Sequence, residues 1–479
     1  MSTTFTCNLG APGSELAHVW SHTIGSGRAL LALRADWQAQ MRKTHAELGV
    51  RHVRFHGLLN DEMCTYLIEC DKDVYSFFNV DQIFDFLVSI GMKPFVELSF
   101  MPTALQSGGG IVFFYKANVT PPRDYAKWAD LVARLVTHWV DRYGIDEVRS
   151  WYFEVWNEPN LDAFWKGSQA DYFKLYQYTA NAIKSVDAPL RVGGPATADD
   201  AWVPEFLGFC EANKLPVEFV STHHYPTDAL GKPGDDTETQ LSDAPRDVLI
   251  QRVRKMRAAV GDRKLCYTEW CSSSNPFFDL HDQPYAAAFL LKNMLDVADF
   301  VHCYSWWTFS DIFEENYFSS VPFHGGFGLQ TIHGIAKPTY RAMQLLHSLG
   351  NERLQVDGSH PTVDAWAVRS NATHIDLLLG NHAFPHQAIA TEAVTWHVRS
   401  SRKPKSARVQ RVDAGHCNSR QAWVAMGSPG YLDAKQAAEL DDASQLKAEP
   451  IAVDAHDDGF DITLNLPPHA IAAVRVELT

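Results

Sequence analysis

Two short segments of this sequence each place a glutamate among aromatic and amide residues. Residues 156–160 read Trp-Asn-Glu-Pro-Asn, and residues 267–270 read Tyr-Thr-Glu-Trp. Each segment lies at the end of a short apolar run that predicts a β-strand, so Glu158 and Glu269 are expected at strand ends. Two carboxyl groups brought together from separate strand ends are the minimum apparatus for cleaving a glycosidic bond.

Strands and helices alternate over residues 15–350, and this alternation can bring the two glutamates together. Strands are predicted at 18–22, 52–55, 94–98, 150–155, 190–194, 219–223, 265–269 and 301–307. Helices are predicted at 37–48, 80–90, 125–143, 170–186, 202–213, 247–260, 283–297 and 339–349. The pattern favours an α/β fold, a (β/α)₈ TIM barrel with its site at the carboxyl ends of the strands. An open doubly wound sheet is the alternative, but no Gly-x-Gly-x-x-Gly turn follows an early strand.

The sequence pattern changes after residue 350 from alternating strands and helices to strands alone. Alternating segments bounded by turn residues predict strands at 362–369, 374–379, 393–399, 407–412, 451–453, 460–466 and 470–478. We interpret residues 351–479 as an all-β sandwich, and residues 3–8, within 1–14, as a candidate further strand of it. Because no flexible linker separates the two parts, we expect them to be packed together.

Composition and charge exclude several classes of protein. The sequence has 479 residues, 46% of them hydrophobic, and a formal net charge of −15, which disfavours binding to nucleic acid or to anionic membranes. The most apolar stretch, 286–301, is interrupted by Lys292, Asp296 and Asp299 and is too polar to span a membrane. The first nine residues have no basic segment and no apolar core, and the eight cysteines form no Cys-x-x-Cys pair. We therefore expect a cytoplasmic protein; the oligomeric state is not indicated.

The chain resembles glycoside hydrolase family 39, in a clan of (β/α)₈ retaining glycosidases. The resemblance covers most of residues 15–350 and rests on motifs at the predicted strand ends. Besides the two glutamate segments, these motifs are VRFHG at 53–57, ELSFMP at 97–102, THHYP at 222–226 and YSWWTFSD at 304–311. The resemblance implies a retaining exo-β-xylosidase that releases xylose from the non-reducing end of β-1,4-xylo-oligosaccharides.

The motifs also imply roles for individual residues. By resemblance, Glu158 is the general acid/base, Glu269 is the nucleophile, and Asn157 bonds the sugar 2-hydroxyl. The acid must be protonated at rest and the nucleophile ionised. An ionised Glu269 needs hydrogen-bond donors, and we expect Tyr225 and Arg54 to supply them.

Other side chains at the strand ends are candidates for sugar contacts. His56 and His223 are expected to bind hydroxyls as neutral imidazoles. Phe100 and Trp307 are expected to offer apolar faces to a pyranose ring, and Trp156 to support the site.

The long loop after the eighth strand, residues 310–328, is rich in acids and aromatics, among them Tyr317 and Phe318. A long loop on a barrel is commonly functional, and here it is expected to wall the mouth into a pocket. By resemblance, Glu314 or Glu315 binds sugar hydroxyls.

Three residues near these motifs are assigned to the interior. Glu97 and Glu154 lie within predicted strands and are interpreted as buried carboxylates paired with Arg54. Family members often have asparagine where this chain has Cys271, which we interpret as a buried thiol.

Other chemistries have little support. The sequence contains no His-Glu-x-x-His and no Gly-x-Ser-x-Gly, so neither a metal site nor a serine hydrolase is predicted, and the mechanism needs no cofactor. Two alternatives stay open at this stage. One is another exo-glycosidase of the clan, such as an α-L-arabinofuranosidase, and the other is a non-catalytic sugar-binding barrel.

Overall fold

A barrel of eight parallel strands forms the first part of the protein. The computed structural model describes residues 3–227, 236–315 and 319–479. The strands are β1 Thr23–Arg28, β2 His52–His56, β3 Lys93–Leu98, β4 Tyr152–Val155, β5 Arg191–Thr197, β6 Phe219–His224, β7 Lys264–Trp270 and β8 Cys303–Trp306. They lie side by side in chain order, and Phe309, just after β8, donates its backbone N–H to Gly25 of β1 at 2.9 Å. The predicted (β/α)₈ barrel is confirmed.

Eight helices surround the barrel and bury their apolar faces against it. They are α1 Ala35–Leu48, α2 Phe78–Ser89, α3 Tyr125–Tyr143, α4 Gln169–Val186, α5 Val203–Ala212, α6 Val248–Val260, α7 Pro284–Val297 and α8 Pro338–His347. Helix α3 illustrates why such segments are predictable from sequence. The Asp124 side chain caps its first turn, and Trp128, Leu131 and Leu135, at helical spacing, are fully buried. Two shorter helices, Ile145–Val148 and Thr237–Ser242, lie in the connections.

The first barrel strand is not where the sequence predicts it. We expected residues 18–22, which are rich in aromatic and β-branched residues, but the strand is β1, whose sequence is TIGSGR. Pairing with β2 overrides the low β-propensity of this segment, since Gly25 pairs with Arg54. Gly25 is needed there because a Cβ atom at this position would overlap the ring of Trp307.

The second part of the protein is a sandwich of two sheets. Its main strands are β9 Val363–Asn371, β10 His374–Asn381, β11 Glu392–Arg399, β12 Pro404–Val412, β13 Asp454–His456, β14 Gly459–Leu466 and β15 Ile471–Leu478. The N-terminal strand Thr3–Asn8 pairs in parallel with β11 and so belongs to one of the two sheets. Short strands at Ser14–Glu15, Glu352–Leu354, Val356–Asp357 and Glu449–Pro450 complete the two sheets.

The sandwich differs from the prediction in two places. The predicted strand at 451–453 lies between Glu449–Pro450 and β13, because the pairing partners stand on either side of it. Two helices, Ser419–Ala425 and Ala434–Ala443, were not predicted and occupy the connection after β12. Their large apolar residues are few, and only Leu440 of the second helix is buried.

The barrel and the sandwich are packed together, as the absence of a linker predicts. Arg246, before α6, forms an ion pair with Asp364 and donates to the carbonyl of His382 at 2.6 Å. Trp366 and Ile471 of the sandwich belong to the same apolar cluster as the barrel helices. Within the described ranges, no helix has both the length and the apolar character that crossing a bilayer requires.

Candidate active site

Both candidate catalytic glutamates lie at the carboxyl edge of the barrel. Glu269 is the penultimate residue of β7, and Glu158 follows β4 by three positions. The backbone after β4 turns sharply, with φ of 73° at Trp156 and 43° at Glu158, a left-handed conformation that side chains rarely adopt. Two hydrogen bonds hold this turn: Trp156 Nε1 to the carbonyl of Phe164 at 2.8 Å, and Glu158 N–H to the carbonyl of Ala196 at 2.7 Å.

The two carboxyl groups are close and almost buried. One oxygen of Glu158 and one of Glu269 lie within 4.8 Å of each other, and the side chains are 10% and 9% exposed. Retaining glycosidases place their carboxyl groups about 5–5.5 Å apart, whereas inverting enzymes need about 6.5–9.5 Å. This close approach of the two oxygens favours the retaining arrangement, in which one carboxylate attacks directly.

Arg54, fully buried on β2, organises the floor of the site. Its Nε lies 2.5 Å from Glu154, and its Nη2 lies 2.8 Å from Glu97 and 2.9 Å from Asn157 Oδ1. Its Nη1 lies 3.5 Å from Glu269 Oε2. Glu97 and Glu154 are thus the buried, Arg54-paired carboxylates that the sequence predicted.

Glu269 has the environment of a nucleophile whose charge must be balanced. Tyr225 Oη donates to Oε1 at 2.5 Å, and Arg54 approaches Oε2, as predicted. Burial is the largest influence and raises the pKa of Glu269 above its ordinary value, and the negative charge of Glu158 adds to this. The positive charge of Arg54 opposes the increase, so the balance between burial and these donors determines where Glu269 ionises.

A hydrogen-bond chain runs from Glu154 through Thr268 and His223 to Glu158. Burial lowers the pKa of His223 to about 4, so this imidazole is neutral at neutral pH. Both of its nitrogens contact protein groups, so its position does not support the expected bond to a sugar hydroxyl. Thr268 Oγ1 donates to Glu154 at 2.8 Å and must therefore accept from His223 Nε2, 3.1 Å away. The other nitrogen, Nδ1, is then an acceptor, and it lies 3.0 Å from Glu158 Oε1. An acceptor in this position favours the protonated carboxyl of Glu158, which is the form a general acid requires.

Asn157 presents a free donor to the site. Its Oδ1 accepts from Arg54, while its buried Nδ2 has no hydrogen-bond partner among the described residues. A buried unpaired amide is costly, so this group is available to a ligand oxygen.

His56 and Glu315 face each other across the mouth of the barrel. His56 Nδ1 lies 2.8 Å from Glu97 and its Nε2 lies 3.4 Å from Glu315 Oε1. Burial would lower the pKa of His56, but the charge of Glu97 outweighs it and the pKa rises to about 9. Burial raises the pKa of Glu315 to about 8. At neutral pH His56 is therefore an imidazolium paired with the closer Glu97, not the neutral ring we expected, and Glu315 is protonated.

The loop after β8 separates the roles of its two glutamates. Glu315 reaches the site, whereas both oxygens of Glu314 are taken by arginines, Arg28 at 2.8 Å and Arg34 at 3.4 Å. The expectation that Glu314 contacts the sugar is therefore not supported by its position. Residues 317 and 318, the Tyr317 and Phe318 of the sequence analysis, lie outside the described residues.

A buried ion triad anchors this loop to the barrel. Lys337 Nζ lies 2.5 Å from Asp282 and 2.6 Å from Asp311, and all three side chains are fully buried. Asp282 accepts from the backbone N–H of Gly325 at 2.7 Å, and Asp311 from that of Gly328 at 2.8 Å. The end of the loop is thus held by charged groups that have no contact with solvent.

An aromatic hairpin that the sequence analysis missed forms the facing wall. Residues 113–115, Phe-Phe-Tyr, lie between the paired strands Ile111–Val112 and Ala117–Asn118. Phe113 stacks near His56 with 6.3 Å between ring centroids, and Phe114 donates its N–H to the carbonyl of Glu315 at 3.1 Å. The signal was present in the sequence, since three consecutive aromatic residues after a barrel strand rarely serve a solvated loop.

The two predicted apolar platforms are enclosed. Phe100 is fully buried between Trp156 and Phe164, so its position does not support the expectation that it offers an open face to a sugar. Trp307 is 2% exposed and packs 4.8 Å from His56, where it supports the ring that faces the site. Cys271 is buried and free, as interpreted.

The barrel brings two carboxyl groups together from the ends of β4 and β7. This arrangement is typical of retaining glycoside hydrolases. The sequence model of Glycosyl hydrolases family 39 matches residues 8–459, and the chain belongs to this family.

Relatives match nearly the whole chain. A beta-xylosidase of Caldicellulosiruptor saccharolyticus is 46% identical over 480 residues, covering 98% of this chain and 98% of the relative. A beta-xylosidase of Geobacillus stearothermophilus is 36% identical over 471 residues, covering 96% and 92%. The crystal structure of the GH39 enzyme from Xanthomonas axonopodis pv. citri superposes with a TM-score of 0.88 at 32% identity, covering 100% of this chain and 98% of that chain.

Proposed function

We propose that this protein is a retaining exo-β-xylosidase that releases xylose from the non-reducing end of β-1,4-xylo-oligosaccharides. The observation that carries the retaining mechanism is the approach of Glu158 and Glu269 to within 4.8 Å. The choice of sugar is supported by the two relatives named beta-xylosidase, which match nearly full length. We take residues 15–350 as the catalytic part.

In the first step, Glu269 attacks the anomeric carbon while Glu158 gives its proton to the leaving oxygen. The C–O bond to the leaving sugar breaks as the bond to Glu269 forms, and a covalent glycosyl-enzyme results. Once Glu158 has lost its proton, its carboxylate faces the lone pair on His223 Nδ1. That repulsion favours the second step, in which Glu158 takes a proton from water as the water attacks the anomeric carbon. The bond from that carbon to Glu269 breaks, and Glu269 leaves as a carboxylate while xylose is released.

The unpaired Nδ2 of Asn157 suits the 2-hydroxyl of the sugar bound to Glu269. Positive charge develops at the anomeric centre in the transition state, and a hydrogen bond to the neighbouring 2-hydroxyl strengthens there. Arg54 holds the amide in this orientation by binding its other end at 2.9 Å.

Two walls support cleavage at the chain end. The aromatic hairpin of residues 113–115 meets the loop after β8 through the bond from Phe114 to Glu315. These walls close one side of the mouth over His56 and Glu315, which can bind hydroxyls of a single terminal sugar. A pocket of this kind favours release of one residue at a time.

A panel of aryl glycosides, with the first product anomer identified by NMR, tests the proposal. We expect the aryl β-xyloside to be hydrolysed at least tenfold more efficiently than the α-L-arabinofuranoside, with β-xylose released first. A preference for the arabinofuranoside would overturn the choice of sugar, and release of α-xylose would refute retention. A 2-fluoro xyloside should label a peptide that contains Glu269. An absence of hydrolysis across the panel would favour a sugar-binding barrel.

We also infer that the protein works in the cytoplasm on imported oligosaccharides. All eight cysteines are free thiols, which suits a reducing compartment. Fractionation of the source cells with enzyme assay of each fraction tests this inference, and activity confined to the medium would contradict it.

A further inference from the structure

Three side chains converge on the outer face of the five-stranded sheet, outside the active site. They are His397 on β11, Asp461 on β14 and His456 on β13, three strands that lie side by side in that order. Asp461 Oδ1 lies 2.7 Å from His397 Nδ1 and 3.4 Å from His456 Nε2. The two imidazole rings are nearly parallel, 5.3 Å apart with an angle of 7° between their planes.

Strand register makes this arrangement a property of the sheet. His397 is directly opposite Asp461 across one ladder, and Asp454 is directly opposite Asp461 across the other. Asp454 and His456 are two residues apart on β13, so their side chains leave the same face. His456 is opposite Gly459, which has no side chain, and its ring leans across to Asp461.

The two aspartates on this face repel each other, and a bound cation would reduce that repulsion. Two aspartates directly opposite each other on neighbouring strands repel, and such like-charge pairs destabilise a sheet. No lysine or arginine of the described ranges lies within ion-pair distance of Asp461, whose close polar neighbours are the two imidazoles. A bound cation would offset the repulsion between Asp454 and Asp461.

The donor set and its spacing fit a transition metal. Ligand nitrogens and oxygens bound to Zn²⁺ at about 2.0–2.2 Å stand roughly 3.3–3.5 Å from one another in a tetrahedral site. The three ligand atoms here already lie within 4.8 Å of one another, so small side-chain rotations would complete the geometry. Each side chain is about one-third exposed, from 32% to 35%, which leaves room for a water as a further ligand.

We propose that His397, Asp461 and His456 bind one divalent ion of the zinc class, with Asp454 as a further carboxylate beside it. Imidazole nitrogens select zinc, nickel and copper over magnesium and calcium. The ion would join the edge strand β13 to β14 and β11. Binding to the folded state alone stabilises it, so the ion would raise the melting temperature.

Isothermal titration with ZnCl₂ at pH 7.5 tests the proposal on the full chain carrying Cys64→Ser and Cys70→Ser, because these two thiols are exposed and bind zinc themselves. We expect one bound ion, and a loss of at least tenfold in affinity for both His397→Gln and His456→Gln. His416→Gln is the matched control. His416 also contacts an aspartate, Asp413, at 2.7 Å, but forms no three-ligand group among the described residues.

A second measurement separates this site from the catalytic one. Glu158, His223 and Glu269 also hold their ligand atoms within 4.8 Å of one another. Zinc at the sandwich should raise the melting temperature of the parent and of His416→Gln, but not of His456→Gln, and should leave xyloside hydrolysis unchanged. Equal affinity in all four proteins, or zinc binding that only inhibits hydrolysis, would overturn the proposal.

Discussion

His223 faces Glu158 with an unprotonated nitrogen, at 3.0 Å between Nδ1 and Oε1. This tautomer of His223 follows from Thr268. The Thr268 hydroxyl donates its hydrogen to Glu154 and can therefore only accept a hydrogen bond from His223 Nε2. The tautomer of His223, and with it the hydrogen bond to Glu158, is thus determined by Thr268 and Glu154. Thr268 is a positioning residue in this scheme.

Thr268→Val should remove the group that fixes the His223 tautomer. The ring can then donate from Nδ1 to Glu158 and favour its ionised form, which is a poor acid. We expect kcat/KM for xylobiose, whose leaving group needs protonation, to fall about 10–100-fold, short of the roughly 10²–10⁴-fold that loss of a general acid costs. An activated aryl xyloside should lose less than threefold.

Thr268→Ser keeps the hydroxyl and should restore xylobiose hydrolysis and its pH profile. A purely structural role would lower the rates on both substrates together. Equal losses of kcat/KM on xylobiose and on the aryl xyloside would therefore contradict the positioning role of Thr268.

Glu315→Gln and Glu314→Gln form a matched pair on one loop. Because Glu315 faces His56 and Glu314 is held by arginines, Glu315→Gln should lower kcat/KM for xylosides at least tenfold and Glu314→Gln less than threefold.

Burial raises the pKa of Glu315 to about 8, so the wild type should lose activity as pH rises through 8. Glu315→Gln cannot ionise and should lack this limb. Steady-state kinetics from pH 6 to 9.5 measure both effects, and an unchanged alkaline limb would refute the assignment.

Lys337→Met should leave Asp282 and Asp311 buried without a counter-ion. Removing one partner of a buried pair costs about 3–5 kcal/mol, and the released loop should also raise KM for xylosides. Urea unfolding and steady-state kinetics test the two effects. Lys292→Met, which breaks the mostly buried Lys292–Asp296 pair on α7, is the control. Lys292→Met should lower the free energy of unfolding and leave KM unchanged. The same KM in Lys292→Met and Lys337→Met would contradict the anchoring role of Lys337.

The amino end of the barrel should weaken in acid because it buries histidines. His52 stacks on His22 at 4.6 Å, and burial lowers the pKa of His52 to about 4. The unfolded chain takes up this proton near the ordinary value of 6.5, whereas the folded protein resists it until about 4. Stability from this group is therefore complete above 6.5 and lost as pH falls from 6.5 to 4.

For His52 alone the loss is on the order of 3 kcal/mol. Urea denaturation at pH 7.5, 6.0, 5.0 and 4.0 measures it, and His52→Asn should reduce the loss of stability by about this amount. His386→Asn, whose side chain is 60% exposed, should keep the wild-type slope. A slope in His52→Asn equal to that of the wild type would refute the assignment.

The elements that sequence analysis placed correctly are those with a strong local signal. Helix α3 was predicted at its observed bounds because its apolar spacing and its Asp124 cap agree. Strand β1 was misplaced, since its glycines and serine carry no β-signal and only pairing with β2 makes the segment a strand. The helices after β12 were missed because their apolar faces are short.

The sequence by itself determined the barrel, the two glutamates and their strand ends, because periodicity and motif are local properties. Only the tertiary structure decided that Glu315 rather than Glu314 reaches the site and that His56 is charged. It alone also showed that Phe100 is enclosed and that Thr268 orients His223. Burial, charge and hydrogen-bond direction depend on neighbours up to hundreds of positions away in the chain, and no local pattern of residues encodes them.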